Sequence, residues 1–305
     1  MFILLLMNKP VYKLRDWIDI NKLDWGLLSS NKNAIEILKK NSDKINWDLL
    51  SSNENAIELL KANPDKINWK RLSANKNAIE ILIKNPDKID WYWLSTNPNA
   101  IKIIKKDFLE GRKINWIILS KNENAIEFLK ENPDKINWHY LSENPNAIEL
   151  LKENPDKIDW YYLSFNPNAI ELLKENPDKI NWHNLSENLN AIELLISNKN
   201  KIDWSFLSTN PNAIELLKEN QDKIDWCYIS LNPNALELLK NNHYEGQDKI
   251  DWLNLSRNPA IFELNYEKMK ENNQEMYEDL IKEVMKPSRV FKNPEYDYLE
   301  ELFGD

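Results

Sequence analysis

Apolar and polar positions along this chain alternate in a phrase with two parts. One full statement of it runs Ile158-Asp159-Trp160-Tyr161-Tyr162-Leu163-Ser164-Phe165-Asn166-Pro167-Asn168-Ala169-Ile170-Glu171-Leu172-Leu173-Lys174-Glu175-Asn176-Pro177-Asp178-Lys179, and Ile180-Asn181-Trp182 begins the next. In the second part Ala169, Ile170, Leu172 and Leu173 fall at helical spacing and make one apolar stripe, with Glu171 and Lys174 on the wet face. Asn166 is a good N-cap and Pro167 suits the first helical position, where a missing N–H costs nothing. Asn176 suits a left-handed C′ position and Pro177 blocks continuation. These signals predict a helix of about 10 residues, roughly 15 Å long. The first part is shorter: Asp159 caps about six residues, α or 3₁₀, that turn Trp160 and Leu163 inward.

The phrase recurs with Trp at 25, 47, 69, 91, 116, 138, 160, 182, 204, 226 and 252, spaced by 22 residues except at 91→116 and 226→252. Neither helix is long enough to stand alone in water, so each buries its stripe against its partner and the neighbouring copies. The expected fold is therefore all-α, a solenoid of eleven 22-residue two-helix repeats with a cap at each end. A β-solenoid would need period-two alternation and β-branched residues, which the copies lack. At about 9–10 Å per stacked helix layer, eleven units make a rod on the order of 100 Å. The Trp ladder is expected to fill the core between copies. The Asn ladders, Asn31 through Asn258 and Asn33 through Asn234, are expected to satisfy backbone groups at the turns. Ligand binding by those amides is the sharper and less favoured reading.

The boundaries follow from where the phrase starts and stops. Residues 1–22 read as a tail and a short helical cap over the first copy, with Leu14, Trp17 and Ile18 facing inward. Residues 23–264 are the repeats, and residues 265–305 a capping helix followed by an acidic, aromatic tail from Asn293 to Asp305. The apolar start, Met1 to Met7, is too short to span a bilayer and has no charged flank or cleavage site, so Met7 is taken as the working start.

Composition narrows the function classes. The net charge is −9, with Lys and Glu alternating on the wet faces and no concentrated basic patch, which argues against nucleic acid as a partner. Nothing suggests a membrane partner. One cysteine, Cys227, excludes a disulfide framework and fits a reducing compartment. Catalysis needs unlike groups converging on one point, whereas repetition places like groups a layer apart. His139 and His183 share a register position two layers apart, too far to share a metal, and His243 is expected in a loop. No phosphate loop, Cys/His cluster or nucleophile motif is present, so the expectation is a chain that is not an enzyme and holds no cofactor or metal.

The run Tyr12-Lys13-Leu14-Arg15-Asp16-Trp17-Ile18, the following Lys22-Leu23-Asp24-Trp25 and the copies of Leu-Ser-x-Asn-Pro-Asn-Ala-Ile resemble the tryptophan/asparagine-proline repeat proteins of giant DNA viruses of protists. The resemblance spans essentially the whole chain. It extends to Met285-Lys286-Pro287-Ser288-Arg289-Val290, similar to a His-Pro-Ser-Arg-Val motif that closes such proteins, with Lys286 where His is usual. It implies a source, and a location in host cytoplasm or virion rather than outside the cell, without implying an activity. The alternation of helices is also similar to leucine-rich-repeat-variant solenoids, in architecture only.

Identity is then expected in the side chains that differ between copies. At the second place after the Trp stand Leu27, Leu49, Arg71, Trp93, Ile118, Tyr140, Tyr162, Asn184, Phe206, Tyr228 and Asn254. Of these Trp93, Tyr140, Tyr162, Phe206 and Tyr228, with Phe165 one turn further on, form an aromatic run that stacking makes into a stripe. Packing in the seam between copies accounts for such rings; a protein-binding stripe is the functional alternative. Where the period breaks, Phe108 with Gly111 and Tyr244 with Gly246 mark two candidate docking loops, roughly 55–60 Å apart along a rod. The sequence thus points to a scaffold for a host or viral protein partner. A spacer in a virus particle with self-association, and a carbohydrate- or peptide-binding module, are the alternatives.

Overall fold

Copy seven displays the local logic in the computed structural model, which describes residues 10–112, 114–244, 246 and 249–284. Asp159 Oδ1 accepts the N–H of Tyr162 at 3.1 Å and opens the α-helix Trp160–Leu163. Asn166 Oδ1 accepts the N–H of Asn168 at 2.9 Å, and the second α-helix is Ile170–Glu175. The first part is therefore α, four residues here and six in Trp138–Glu143. The second part is shorter than expected. In copy six, for instance, a 3₁₀ turn, Pro145–Ala147, precedes a five-residue helix, Ile148–Lys152. An amide that reaches only two residues ahead holds a tight turn and delays the α-helix.

Asn176 is not left-handed. Its backbone lies at φ −131°, ψ 59°, and its side-chain amide donates to the carbonyl of Leu172 at 2.9 Å. The side chain thus pairs the last-turn carbonyl that a left-handed cap would otherwise serve. Pro177 opens a 3₁₀ turn, Pro177–Lys179, instead of only stopping the helix.

Contacts divide the chain into two units, Leu14–Phe262 and the two outer stretches, Met1–Lys13 with Glu263–Asp305. In the first unit the interior consists mainly of Leu, Ala and Ile, with Phe128 and Phe262, and two polar ladders. Leu163, Ala169 and Leu173 are fully buried, as are Ser164 and Asn166, and the same positions are buried from copy to copy. Both polar ladders are spent on joining copies. Ser164 Oγ donates to the carbonyl of Trp160 at 2.8 Å and accepts the N–H of Asn181, in copy eight, at 3.0 Å. Asn188 of copy eight donates to the carbonyls of Ser164 at 3.0 Å and Asn166 at 2.8 Å, and Asn190 donates to that of Pro167 at 2.9 Å. Each copy therefore pairs buried backbone groups that would each cost about 1–3 kcal/mol if left alone.

The same bonds join the last copy to the first. The N–H of Asp24 donates to Ser256 Oγ at 2.9 Å. Asn31 donates to the carbonyls of Ser256 at 3.1 Å and Asn258 at 3.0 Å, and Asn33 to that of Pro259 at 2.9 Å. The repeat unit is a closed circuit of eleven copies, which overturns the expectation of an open rod of about 100 Å. A small, constant turn per copy, accumulated eleven times, returns the chain to its start. Closure also removes the need for a helical cap over copy one: in place of the expected helix at 11–22 the chain forms β1 (Tyr12–Leu14) and a 3₁₀ turn, Ile20–Lys22.

β1 pairs with β2 (Phe262–Leu264) in a two-stranded sheet, and Lys13 reaches Glu263 at 3.3 Å. The expected C-terminal helix is present as Tyr266–Val284, with Asn265 donating its N–H to the carbonyl of Val11 at 2.8 Å. The start at Met7, the Met285–Val290 motif and the Asn293–Asp305 tail lie outside the described residues.

The Trp ladder is not core. Every ladder Trp is half-buried, and none belongs to the buried interior. Instead a cation lies on the ring: Lys44 over Trp25 at 4.5 Å, Lys179 over Trp160 at 4.5 Å, Lys201 over Trp182 at 4.4 Å and, across the closure, Lys22 over Trp252 at 4.7 Å. An indole is too wide for the narrow gap that Leu and Ala fill, so it seals the edge of the layer under a Lys stem. Trp116 departs from the pattern by packing against Phe108 and Phe128 at 5.3 and 5.2 Å.

Candidate functional site

The variable positions lie at the exposed edge of the Trp helices, which pack directly on one another from copy to copy, Trp116–Lys121 on Trp138–Glu143 and that helix on Trp160–Leu163. Successive rings there meet as neighbours. Tyr140 and Tyr162 lie 5.5 Å apart, Phe206 and Tyr228 6.1 Å, and Tyr161 stands edge-on to Tyr162 at 5.3 Å and to Phe165 at 6.2 Å. Tyr140, Tyr162, Phe165 and Phe206 are half-buried, whereas Trp93 and Tyr228 are exposed, at 36% and 39%.

The stripe is interrupted. Asn184 takes the register position between Tyr162 and Phe206, fully buried, and donates to the carbonyl of Tyr161 at 2.8 Å. One cluster thus runs through copies four to seven and another through copies nine and ten. The first includes residues that the sequence reading passed over. Tyr92 and Tyr161, directly after their Trp residues, are more exposed than the rings two places on, at 48% and 51%. The signal was in the sequence, because adjacent helical positions diverge by about 100° and the position after a half-buried Trp turns outward.

Where copy five carries Ile118 instead of a ring, the surface sinks. Tyr92, Trp93, Pro98, Ile118, Tyr140 and Pro145 line a groove of about 420 Å³, with Thr96, Lys121, Asn122 and Glu123 as its polar members. Asn122 is committed to the copy-joining bonds at 3.0 and 3.1 Å, and Lys121 pairs with Glu143 at 2.7 Å. Glu123 has no ion-pair partner among the described residues.

No family model, characterised protein or solved structure matches this chain. The chemistry of the site therefore rests on its own geometry. Among the described residues no three metal-ligating side chains gather, and no helix is long and apolar enough to cross a membrane. His139 and His183 do not approach each other; each turns its Nδ1 to the capping carboxylate of the next copy, His139 to Asp159 and His183 to Asp203. Cys227 uses the same geometry toward Asp251, donating at 3.3 Å. Local desolvation first, then the hydrogen bond and charge of Asp251, push its thiol above the usual range. Desolvation and then Tyr140 likewise raise the phenol of Tyr162 above 10.0.

The two candidate docking loops are extra helical turns. The second helix lengthens to Ile101–Leu109 in copy four and to Leu236–Tyr244 in copy ten. Gly111 at φ +85° and Gly246 at φ +73° take a left-handed conformation that glycine adopts without steric cost. Phe108 is half-buried and stands edge-on to Trp116 and Phe128 at 5.3 and 5.6 Å. His243 is helical and packs near Trp252 at 5.7 Å and Trp17 at 6.3 Å, contrary to the expected loop. What the turns do expose is Leu109 and Tyr244, at 86% and 67%. In a circuit of eleven, copies four and ten are six interfaces apart one way and five the other, so the turns stand on nearly opposite sides of it and not along a rod.

Proposed function

We propose that this chain is a non-enzymatic scaffold that binds a protein partner through the aromatic edge of its Trp helices. The observation that carries this reading is the run of exposed and half-buried rings on copies four to seven: Tyr92, Trp93 and Tyr140 line one groove, and Tyr162, Tyr161 and Phe165 continue from Tyr140. Core packing does not need rings there, since the equivalent places in copies one and two are Gly26, Leu27, Asp48 and Leu49. Aromatic side chains offer contact area at low entropic cost and dominate binding hot spots. An extended spacer has less support, because a closed circuit offers neither length nor a free end to stack on. Sugar stacking on the ladder Trp rings has less support too, since Lys or Arg side chains already lie over most of them. The virus-particle setting implied by the sequence resemblance stays part of the proposal.

The test is an affinity pull-down from lysate of the native host cell, with wild type against a Tyr92/Trp93/Tyr161→Ala triple variant whose helical circular dichroism matches wild type. Loss of a reproducible set of partners supports the reading. Identical captured sets for both proteins would remove it.

A further inference from the structure

Resting on that reading, we infer that the groove over Ile118 receives a basic, proline-rich segment of the partner in the polyproline II conformation. Two properties of the site lead there. The first is the chemistry of the walls: Trp93, Tyr140, Pro98 and Pro145 supply flat apolar faces on which prolyl rings dock with little loss of chain entropy.

The second property is charge. Of the two cationic and anionic side chains in the groove, Lys121 is neutralised by Glu143 at 2.7 Å, which leaves Glu123 to meet a partner. The ring faces have the same preference. Lys70 lies over Trp93 at 5.6 Å, against 4.5 Å for Lys179 over Trp160, so this ring face is less closely covered than the ladder indoles and stays open to a cation of the partner. The chain as a whole carries −9, which favours approach of a basic segment.

The experiment measures fluorescence anisotropy of labelled peptides titrated with the full chain. The probe is a (Pro-Pro-Lys) repeat of about 15 residues, roughly 45 Å long when extended as polyproline II. The controls are (Gly-Gly-Lys) and (Pro-Pro-Glu) repeats of equal length, which keep only the charge or only the conformation. The expected result is saturable binding of the first, about tenfold weaker binding of the second and none of the third. Trp93→Ala and the surface variant Glu123→Lys should each weaken the first peptide by about tenfold, at unchanged circular dichroism. Failure of the first peptide to bind overturns the inference. So does equal affinity for either control, or wild-type affinity in either variant. A peptide failure with an intact difference in the pull-down would discard the polyproline ligand and keep the scaffold.

Discussion

Asn31 donates its side-chain amide to the carbonyl of Asn258 at 3.0 Å, across 227 residues of sequence. The same amide group reaches the carbonyl of Ser256, while its Oδ1 accepts the N–H of Asn33 at 3.1 Å. Asn166 makes the identical set toward Ser142, Asn144 and Asn168 in the middle of the array. If the ends were open, Asn31 would be only a helix cap; closed, it is as deeply engaged as any interior copy.

Asn31→Ala should therefore cost about 2–4 kcal/mol, as should Asn166→Ala, because each leaves a buried serine carbonyl (Ser256 or Ser142) and one N–H without partners and takes one of two bonds from an asparagine carbonyl (Asn258 or Asn144). Urea denaturation followed by circular dichroism measures both. A loss for Asn31→Ala below about 1 kcal/mol, beside a full loss for Asn166→Ala, would mean that the circuit is open in solution.

A second comparison separates interior from edge. Leu173 is fully buried, and Leu173→Ala should cost about 2–5 kcal/mol. Lys179 rests on the half-buried ring of Trp160 at 4.5 Å, and Lys179→Met should cost no more than about 1 kcal/mol. Comparable losses for the two would return the indoles to the core.

The period, the helical class and the capping by Asn166 were legible because they are carried by local spacing and residue type, such as Asn166 ahead of Ala169 and Leu173. Closure was not. It depends on the small angle between copies, and no residue type marks that angle; Asn31 and Asn258 read like every other member of their ladder. The role of Ser164 was not legible either, because its second bond goes to Asn181 of the next copy, outside the window of local reasoning. Trp was assigned to the core on size, although width in a thin layer forces it outward. Of the candidate site, the rings two places after Trp were found. Tyr92 and Tyr161 were missed because the search followed one register position instead of the arc of helix surface that faces outward.

Cys227 offers a chemical readout of the contact between copies ten and eleven. Its thiol is raised by desolvation and by Asp251, so alkylation by iodoacetamide near neutral pH should be slow for so exposed a cysteine. Asp251→Asn removes the adjacent charge and keeps the cap on the N–H of Asn254, since Asn serves as that cap in other copies. The variant should react several-fold faster at unchanged stability. An unchanged rate would show that Asp251 does not govern the thiol.

Tyr162 sets an alkaline signature for the first ring cluster. Desolvation, then Tyr140 and the carboxylate of Asp159, hold its phenol above the ordinary 10.0, so the folded state keeps this proton longer than the unfolded chain does. A raised folded value makes the contribution to stability fully present below about pH 10 and lost as pH rises through the folded value. Phenolate absorbance should show a late-ionising component, and that component should vanish in Tyr162→Phe. Tyr140→Phe should move it down toward the ordinary value, because the neighbouring phenolate contributes to the upward push. If Tyr162→Phe leaves the titration unchanged at its alkaline end, the rings of copies six and seven are farther apart in solution than 5.5 Å.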